Sequence, residues 1–284
     1  MKKIVSASID PNSHQLFLST LPAKIRPFIH ITRFRGAWDY AGWIEVDSKN
    51  MQANAIPITP ELIKQLAKYA SENNLKLSLD GSNLSNLDLQ GVDLRGVSFR
   101  GCDFTGANLT RANCSHAYFY GANLARIDAT DANFAGAHFD GANLTRANCS
   151  QAHFDGATLT RINATGANFA GACLNADLTE ANLTEANFPE ASLIGALLTA
   201  ANVSSANFPE ANLIEANFIG TNATKANFTK AKLKWADCTN TDFTGATFPE
   251  AKFKRANLTN ADFTGVALTA NQLSAEQLES IKKS

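Results

Sequence analysis

Large apolar residues recur at every fifth position over about two thirds of this chain. Leu or Phe stands at most of these centres, which run from Leu84 to Leu174 and again from Leu178 to Leu268. The two runs hold 38 centres, and 28 of them have Ala two places earlier. A period of five matches neither an α-helix nor a strand, so a repeating turn must determine which positions point inward.

Short sides joined by corners would make the chain coil. With four sides in each coil, every quintet lies over the one twenty residues earlier, at the ~4.8 Å spacing of neighbouring strands. All fourteen glycines from Gly91 to Gly265 lie two residues after a centre, where a corner with positive φ suits them. The three prolines of this region lie one residue after a centre, which fits the second position of a turn. The pattern predicts a mainly β solenoid of about nine coils, roughly 45 Å long.

The repeated unit has the form A-(N/D)-(L/F)-x-x. Clear copies are Ala-Asn-Leu-Thr-Arg at residues 107–111 and Ala-Asn-Leu-Thr-Glu at residues 181–185. This motif resembles the pentapeptide-repeat family. The resemblance implies a right-handed quadrilateral parallel β-helix with the central residue and the preceding Ala inside. Function would then be carried by the outer surface, because a fold alone does not specify an activity.

Small centres are compensated within the core. Where the centre is Ala129 or Ala164, the position two before it is Ile127 or Ile162, so volume lost at one inward site is restored at its neighbour. Three other centres are cysteines, which we interpret as small core residues: Cys114, Cys149 and Cys238.

One step in the repeat is a residue short. Leu174 and Leu178 are four apart, so a residue is missing around Asn175 and Ala176. A local kink or bulge and the start of an exposed loop are both open alternatives, and a tolerated deletion at a corner is favoured.

Residues 1–78 predict a small α/β domain that caps the N-terminal end of the solenoid. Short apolar or alternating stretches predict strands at residues 3–8, 14–18, 27–34 and 41–46, with a turn at residues 10–13. A helix follows, with Thr59 as N-cap, Pro60 at its first position and Asn73 as its stop. Residues 75–79 would lead into the first coil, and open ends of a solenoid need covering.

The remaining boundaries follow from the repeat. Residues 79–270 form the predicted β-helix, and residues 271–284 form a C-terminal helical cap with a short amphipathic helix over 274–281. In some members of the family that region makes a dimer instead, so a monomer and a dimer through an end cap both stay open.

Charge is unevenly distributed along the chain. Residues 1–79 carry a net +4 and residues 80–284 a net −5, although the whole chain carries −1. Between Arg161 and Lys225 there are six acidic residues and no basic one, and seven basic residues follow. These two bands supply the candidate partner-binding surface: Glu180, Glu185, Glu190, Glu210, Glu215, Lys230, Lys232, Lys234, Lys252, Lys254 and Arg255.

No sequence motif indicates catalysis, and we predict a protein that is not an enzyme and needs no cofactor. No phosphate-binding loop, nucleophile elbow or paired-carboxylate motif occurs, and the five histidines have no zinc-ligand spacing. His153 and Cys173 are twenty apart and are expected to be neighbours. Two ligands without a third do not make a metal site, so none is predicted.

A regular outer wall of polar residues and banded charge suits a bacterial scaffold that binds another protein, whose identity stays open. The order of parts is similar to that of some type III secreted effectors. An aromatic-rich stretch is either a partner-binding surface or, as favoured, core: Phe28, Phe34, Trp38, Tyr40 and Trp43.

The alternative function is mimicry of DNA. Pentapeptide proteins of the quinolone-resistance Qnr family resemble duplex DNA and engage DNA gyrase, but DNA of this length carries roughly 26 negative charges. The repeat region nets only −5. Direct nucleic-acid binding is not expected, because the basic residues from Lys225 to Arg255 are interpreted as scattered over several faces.

The chain lacks the apolar segment of a Sec signal and any run of eighteen apolar residues, so no membrane span is predicted. Five cysteines, an odd number mostly at inward positions, favour a reducing compartment. We expect a cytoplasmic protein, with secretion into a host by a non-Sec route as the alternative.

Overall fold

The computed structural model describes residues 11–33, 42–268 and 272–281. Its N-terminal elements are α1 (Pro11–Thr20), a short 3-10 helix (Arg26–Phe28), β1 (Ile29–Arg33), β2 (Gly42–Val46), α2 (Ser48–Ala53), α3 (Pro60–Glu72) and β3 (Leu75–Ser78). One further helix, α4 (Ala275–Ser280), follows the repeats. Between β3 and α4 the backbone is joined by isolated parallel β-bridges.

The strand predicted at residues 14–18 is wrong, because these residues lie inside α1. The segment is too short for its apolar run, Leu16-Phe17-Leu18, to distinguish the period of a helix from that of a strand. Packing favours the helix, since the Phe17 ring stacks on Tyr69 of α3 with 3.7 Å between ring centroids. The turn predicted at residues 10–13 is also wrong from Pro11 onward, where α1 begins. The predicted strand at residues 3–8 lies outside the described residues.

The other N-terminal predictions are confirmed in outline. Strands β1 and β2 fall within the predicted segments. Helix α3 begins at Pro60, and the Thr59 hydroxyl accepts a hydrogen bond of 3.2 Å from the Leu62 amide. Helix α2 was not predicted, because its six residues are too few for a periodic pattern.

The N-terminal sheet continues into the repeats. Its order is β1-β2-β3, with β1 antiparallel and β3 parallel to β2. Ile44 of β2 is paired with Ile31 on one side and with Leu77 on the other. Ser78, the last residue of β3, makes a parallel bridge with Ser98 in the repeats. The sheet and the repeats therefore share hydrogen-bonded backbone.

The repeats pair with one another at a separation of twenty residues. Asn83 bridges Asp103, which bridges Asn123, and this series continues in parallel to Asp262. From Leu84 to Phe263 every quintet except the shortened one ends in a β-turn, as where the Leu87 amide donates to the Leu84 carbonyl at 3.3 Å. The corner residue of 36 quintets has a positive φ, and 22 of these are not glycine. The corners predicted from glycine are confirmed, and the same backbone conformation extends to corners that glycine does not mark.

The centres of the quintets fill the interior. Phe134, Phe188 and Phe228 are each 0% exposed, so the predicted inward direction is confirmed. Rings twenty apart stack, with centroids of Phe188 and Phe208 4.6 Å apart and those of Phe208 and Phe228 5.0 Å apart. The compensating isoleucines are buried as predicted, with Ile127 and Ile162 each 1% exposed. Burial of each such large side chain contributes about 1.5–3 kcal/mol.

The missing residue is absorbed at one corner. Bridges change from a separation of twenty to nineteen at Thr158–Asp177 and return to twenty at Asp177–Leu197. Ala176 occupies the corner and is 6% exposed. Residues 174–178 are all described, and none of them has the positive φ of an ordinary corner. The favoured prediction of a tolerated deletion is confirmed, because the ladder continues without a projecting loop.

Candidate functional site

The outward wall is ordered by asparagine and aspartate side chains. The residue before each centre is the one that forms the β-bridge, and we call a set of quintets linked by these bridges a column. In a typical quintet Asn123 Oδ1 accepts from the Ala125 amide at 3.3 Å, and Asn143 Nδ2 donates to Asn123 Oδ1 at 2.9 Å. Each amide thus braces its own turn and the next coil, so side chains in one column stay in register.

The five predicted acidic residues lie at corners, as the sequence indicated. Glu180, Glu185, Glu190, Glu210 and Glu215 all have a φ between 56° and 60°. Only Glu190 and Glu210 share a column, through the bridge between Asn187 and Asn207. The other three belong to three different columns, so these carboxylates surround the solenoid and do not form one acidic face.

Lys230 lies apart from the other predicted basic residues. Its ammonium group is 3.5 Å from the Glu210 carboxylate, in the column that holds Glu190 and Glu210. This exposed ion pair contributes little to stability, since such pairs are typically worth about 0–1 kcal/mol. Its effect on the surface is to neutralise one of the acidic corners.

The remaining predicted basic residues lie together, so the interpretation that the basic residues from Lys225 to Arg255 are scattered over several faces is wrong for five of the seven. It holds for Lys225 and Lys230, which belong to two other columns. Lys232 bridges Lys252, and the Trp235 amide donates to the Lys254 carbonyl at 3.2 Å. The separation of twenty residues between Lys232 and Lys252, and between Lys234 and Lys254, was the available signal in the sequence. We call this set the lysine face: Lys232, Lys234, Lys252, Lys254 and Arg255.

Trp235 lies in the middle of the lysine face. It occupies a corner with a φ of 59° and is 42% exposed. Lys234 Nζ lies 3.6 Å from the centroid of its ring, and Arg255 Cζ lies 5.9 Å from it. Cations over an indole ring attract its electron-rich face, which holds the ring in place at the surface. The sequence prediction missed Trp235, and its occurrence at a corner that is otherwise polar or small was the available signal.

The same column carries apolar side chains towards its N-terminal end. Ile194 is 41% exposed, and the Gly195 amide donates to the Ile214 carbonyl, which sets the two isoleucines on adjacent coils. At the other end, Lys252, Lys254 and Arg255 border a groove of about 1120 Å³ beside α4. The lysine face therefore has an apolar border on one side and a groove on the other.

A second aromatic group was also missed. Tyr118 and His138 are bridged and their rings stack at 5.2 Å, while Tyr120 lies 5.6 Å from the same imidazole. Arg100 covers both tyrosines, with Cζ 5.7 Å and 5.3 Å from their centroids. His138 Nδ1 is 3.2 Å from Thr158 Oγ1. These rings contact one another and are half-buried, so we interpret them as bracing of the wall.

His153 and Cys173 are neighbours, as predicted from their spacing, and a third group joins them. They form a parallel bridge, and Asp155 lies two residues after His153. Candidate ligand atoms of all three lie within 4.8 Å of one another. Burial, and then the nearby Asp155 carboxylate, raise the pKa of the Cys173 thiol. Residues two apart on an extended segment share a face, which was the signal for Asp155.

The other four cysteines are enclosed. Cys102, Cys114, Cys149 and Cys238 are at most 1% exposed. Burial raises the pKa of Cys102 and of Cys149 to about 12. These thiols have no access to a partner, in agreement with the prediction that the central cysteines are core residues.

The aromatic-rich N-terminal stretch is described only in part. Phe28 packs against the core and Trp43 is half-buried, with Lys76 Nζ 5.3 Å from the Trp43 ring. Phe34, Trp38 and Tyr40 lie outside the described residues, so the choice between core and partner surface stays a prediction for them.

The repeats match a known family. The family described as pentapeptide repeats (8 copies) matches residues 78–113, 107–146, 142–175, 176–213, 196–234 and 231–270. These ranges cover more than half of the chain, so this protein belongs to the pentapeptide repeat family. Its repeats form a β-helix solenoid. A comparison with curated proteins finds no match.

Solved structures of such proteins are similar to parts of the chain. HetL, a pentapeptide repeat protein involved in heterocyst differentiation regulation from Nostoc sp. strain PCC 7120, is 25% identical; the match covers 72% of this chain and 97% of HetL, with a TM-score of 0.35. QnrB1, a plasmid-mediated fluoroquinolone resistance protein, is 20% identical over 72% of this chain and 95% of its own, with a TM-score of 0.42. A pentapeptide repeat protein from the Arabidopsis thaliana thylakoid lumen is 37% identical over 38% of this chain and 69% of its own, with a TM-score of 0.24.

No helix in the described ranges combines the length and the apolar character that crossing a bilayer requires.

Proposed function

We propose that this protein is a non-enzymatic bacterial scaffold that binds an acidic region of a partner protein through the lysine face. The observation that carries the proposal is Trp235, a large aromatic side chain that is 42% exposed among five cationic residues. Trp and Arg are enriched among the residues that dominate the energy of protein interfaces. Lys234 and Arg255 already hold the ring, so little side-chain freedom remains to be lost when a partner binds.

The chemistry around Trp235 favours a protein over a nucleic acid. Five positive charges attract carboxylates and phosphates alike, and an exposed aromatic ring can stack on a base. Ile194 and Ile214 extend the same column with apolar surface, which a strand of phosphates would leave unused. An acidic protein segment with apolar side chains would use both parts of this surface.

The test is comparative affinity capture from a bacterial lysate. The intact chain, a Trp235→Ala variant and a double Lys232→Glu/Lys252→Glu variant serve as baits, and a Glu190→Gln variant is the matched surface control. The candidate partner is then purified, and its affinity for each bait is measured by calorimetry. We expect Trp235→Ala to weaken binding by at least tenfold, as loss of an interface anchor costs about 2 kcal/mol or more, and the control to bind normally.

Two results would contradict the proposal. The first is a purified partner that binds Trp235→Ala and the charge-reversed variant as tightly as the intact chain. The second is tight binding of a single-stranded oligonucleotide, measured by fluorescence anisotropy, that depends on the lysines and decreases steeply with salt. That second result would assign the lysine face to nucleic acid.

Mimicry of DNA and binding to gyrase is the alternative function, and the distribution of acidic side chains argues against it. Three of the five acidic corners occupy separate columns, and Glu210 is paired with Lys230. The DNA-binding groove of a partner such as gyrase is suited to the rows of negative charge on duplex DNA. The positive charge of the lysine face would therefore repel it. A gyrase supercoiling assay distinguishes the functions, because a mimic would change supercoiling at stoichiometric amounts.

We also propose the finer architecture that this function needs. The solenoid would be a right-handed, four-sided coil of about nine turns over residues 79–270, supported by bridges twenty residues apart. Residues 1–78 would cap one end, supported by the bridge from β3 to Ser98. Residues 271–284 would cap the other, supported by hydrogen bonds from Gln277 Nε2 to the Phe253 and Ala256 carbonyls.

Location and assembly are part of the same proposal. A monomer that presents the lysine face from the cytoplasm is the simplest form, and a dimer through an end cap is the alternative. Secretion into a host by a non-Sec route would place the same surface before a host protein. Light scattering of the purified chain distinguishes a monomer from a dimer.

A further inference from the structure

Three potential metal ligands of different chemistry converge on the outer wall. They are an imidazole, a carboxylate and a thiol, from His153, Asp155 and Cys173, and we call them the His–Asp–Cys cluster. The backbone brings them together: the Cys173 amide donates to the Ala152 carbonyl at 2.9 Å, and the Phe154 amide donates to the Cys173 carbonyl at 2.7 Å. Phe154, which lies between His153 and Asp155 in the sequence, points inward and is buried. The side chains of His153 and Asp155 therefore both point outward.

The cluster departs from the pattern of its own wall. At the corresponding position of the two preceding coils in the same column, Asn113 and Asn133 accept a hydrogen bond from the amide two residues later. His153 and Cys173 replace such a residue on two successive coils. Within the part of the chain that the structure describes, none of the three side chains has a hydrogen-bond or ion-pair partner. Their donor atoms are therefore available to a ligand.

A histidine elsewhere on the wall provides a contrast. His138 stacks on Tyr118, and its Nδ1 lies 3.2 Å from Thr158 Oγ1, so packing and a polar contact account for its presence. His153 has neither kind of contact among the described residues, and two other ligand types surround it. A structural role in the wall therefore explains His138 and does not explain His153.

We propose that the His–Asp–Cys cluster binds a zinc ion, with water as the fourth ligand. Zinc prefers four tetrahedral ligands drawn from imidazole nitrogen, thiolate sulfur and carboxylate oxygen. Ligand atoms around such an ion are about 3.3–3.8 Å apart, given metal–ligand distances of about 2.0–2.3 Å. In the structure the ligand atoms lie within 4.8 Å of one another. Rotation of these surface side chains would shorten the separations to that range. Magnesium and calcium are excluded by the thiol and the imidazole, since they require oxygen ligands.

Zinc at this position would join two coils next to the shortened corner. Cys173 lies three residues before Ala176, where the repeat lacks a residue and its usual turn. His153 and Asp155 belong to the preceding coil. An ion that binds only the folded form adds stability by mass action, so it would reinforce the ladder where the turn is missing.

The test uses the full chain after treatment with a chelator. Zinc binding is measured by calorimetry, and cobalt(II) is used as a coloured substitute whose absorption reports a bond to thiolate. We compare the intact chain with His153→Ala, Asp155→Asn and Cys173→Ala. His116→Asn is the matched control, because His116 is an exposed histidine at a corner with a φ of 57°, a conformation that Asn tolerates.

We expect one zinc per chain and an increase in melting temperature when zinc is added. Each substitution within the cluster should weaken zinc binding by at least about tenfold, the effect known even for residues that only orient ligands. The control should bind normally, and magnesium should have no effect. The melting temperature of each metal-free variant serves as the check on folding, and we expect it to be unchanged because these side chains are on the surface.

The inference is overturned if a triple variant that combines His153→Ala, Asp155→Asn and Cys173→Ala binds zinc as tightly as the intact chain. It is also overturned if only Cys173→Ala lowers the affinity, because a lone thiolate would then account for the binding. Cobalt that binds without a thiolate absorption band would contradict the assignment of Cys173. The lysine face is unchanged in all of these variants, so their outcome is independent of partner binding.

Discussion

Phe208 lies in the middle of a stack of buried rings, and its replacement by alanine should destabilise the protein strongly. Its ring is 0% exposed and lies 4.6 Å from Phe188 and 5.0 Å from Phe228, nearly parallel to both. Deletion of a buried Phe side chain lowers the free energy of unfolding by about 3–5 kcal/mol. This cost combines the lost burial of the ring with the cavity that it leaves. The rigid wall on every side prevents collapse around the cavity, so we expect a value in that range.

The free energy of unfolding is measured by urea titration, followed by circular dichroism. Ile194→Ala is the matched control, because Ile194 lies in the same region but is 41% exposed. Its replacement should change the free energy of unfolding by no more than about 0.5 kcal/mol. Repeat proteins can unfold in segments, so the slope of the titration is compared as well. A shallower slope for Phe208→Ala would indicate that the coils around the cavity unfold first.

A loss of less than about 1 kcal/mol for Phe208→Ala would refute the reasoning, because it would place the ring at a site that solvent can fill or reach. An equal loss for both variants would refute it as well, since exposure would then not distinguish them.

Further predictions concern corners, a buried hydroxyl and the thiols. Glu190→Gly should raise the free energy of unfolding by up to about 1 kcal/mol in urea titration, because Glu190 has a φ of 56°, whereas Glu190→Ala should give no gain. Ser82→Ala should also raise the free energy of unfolding, by about 1 kcal/mol, since the Ser82 hydroxyl is buried without a partner in the described structure. Thr241→Val should lower it in the same assay, because it removes a hydroxyl that donates a hydrogen bond to the Phe218 carbonyl. A thiol reagent counted by mass spectrometry should modify Cys173 alone in the native chain and all five cysteines after unfolding, and early reaction of a second thiol would contradict the enclosed core.

The repeat region could be predicted from the sequence because one residue in five has a single physical role. A centre such as Phe134 must be apolar to fill the interior, whereas the outward positions on either side of it are mostly polar. Corners were harder to recognise. Glycine marks fourteen of them, but residues such as Trp235 adopt the same left-handed φ, held there by the hydrogen bonds of adjacent coils.

Surface groups depend on which coils are adjacent, and the missing residue obscured this. The offset of nineteen at Thr158–Asp177 decides which residues before and after it share a column. Without it, Lys232 and Lys252 could be paired with each other but not related to the His–Asp–Cys cluster, which lies before the missing residue. Asp155 was missed because only the residue before each centre was compared between coils, whereas the residue after the centre faces outward too.

The N-terminal elements lack such repetition, so local pattern had to decide. Helix α3 was predictable because Thr59 and Pro60 mark its start and its apolar face is long enough to detect. Helix α1 was mistaken for a strand because its character depends on contact with α3, as in the stacking of Phe17 on Tyr69.

The stacking of residues twenty apart can be tested most directly by a distance between two spin labels. The labels are attached at Ala125→Cys and Thr224→Cys in a Cys173→Ser background, and electron–electron dipolar spectroscopy measures their separation. These positions share a column five coils apart, through the bridges that begin at Asn123–Asn143 and end at Asn202–Asn222. Five strand spacings amount to ~24 Å, so we predict a narrow distribution of distances centred on that value. The length of the labels adds to the distance between the backbones. A broad distribution, or a separation beyond ~40 Å, would contradict the coiled ladder on which the account rests.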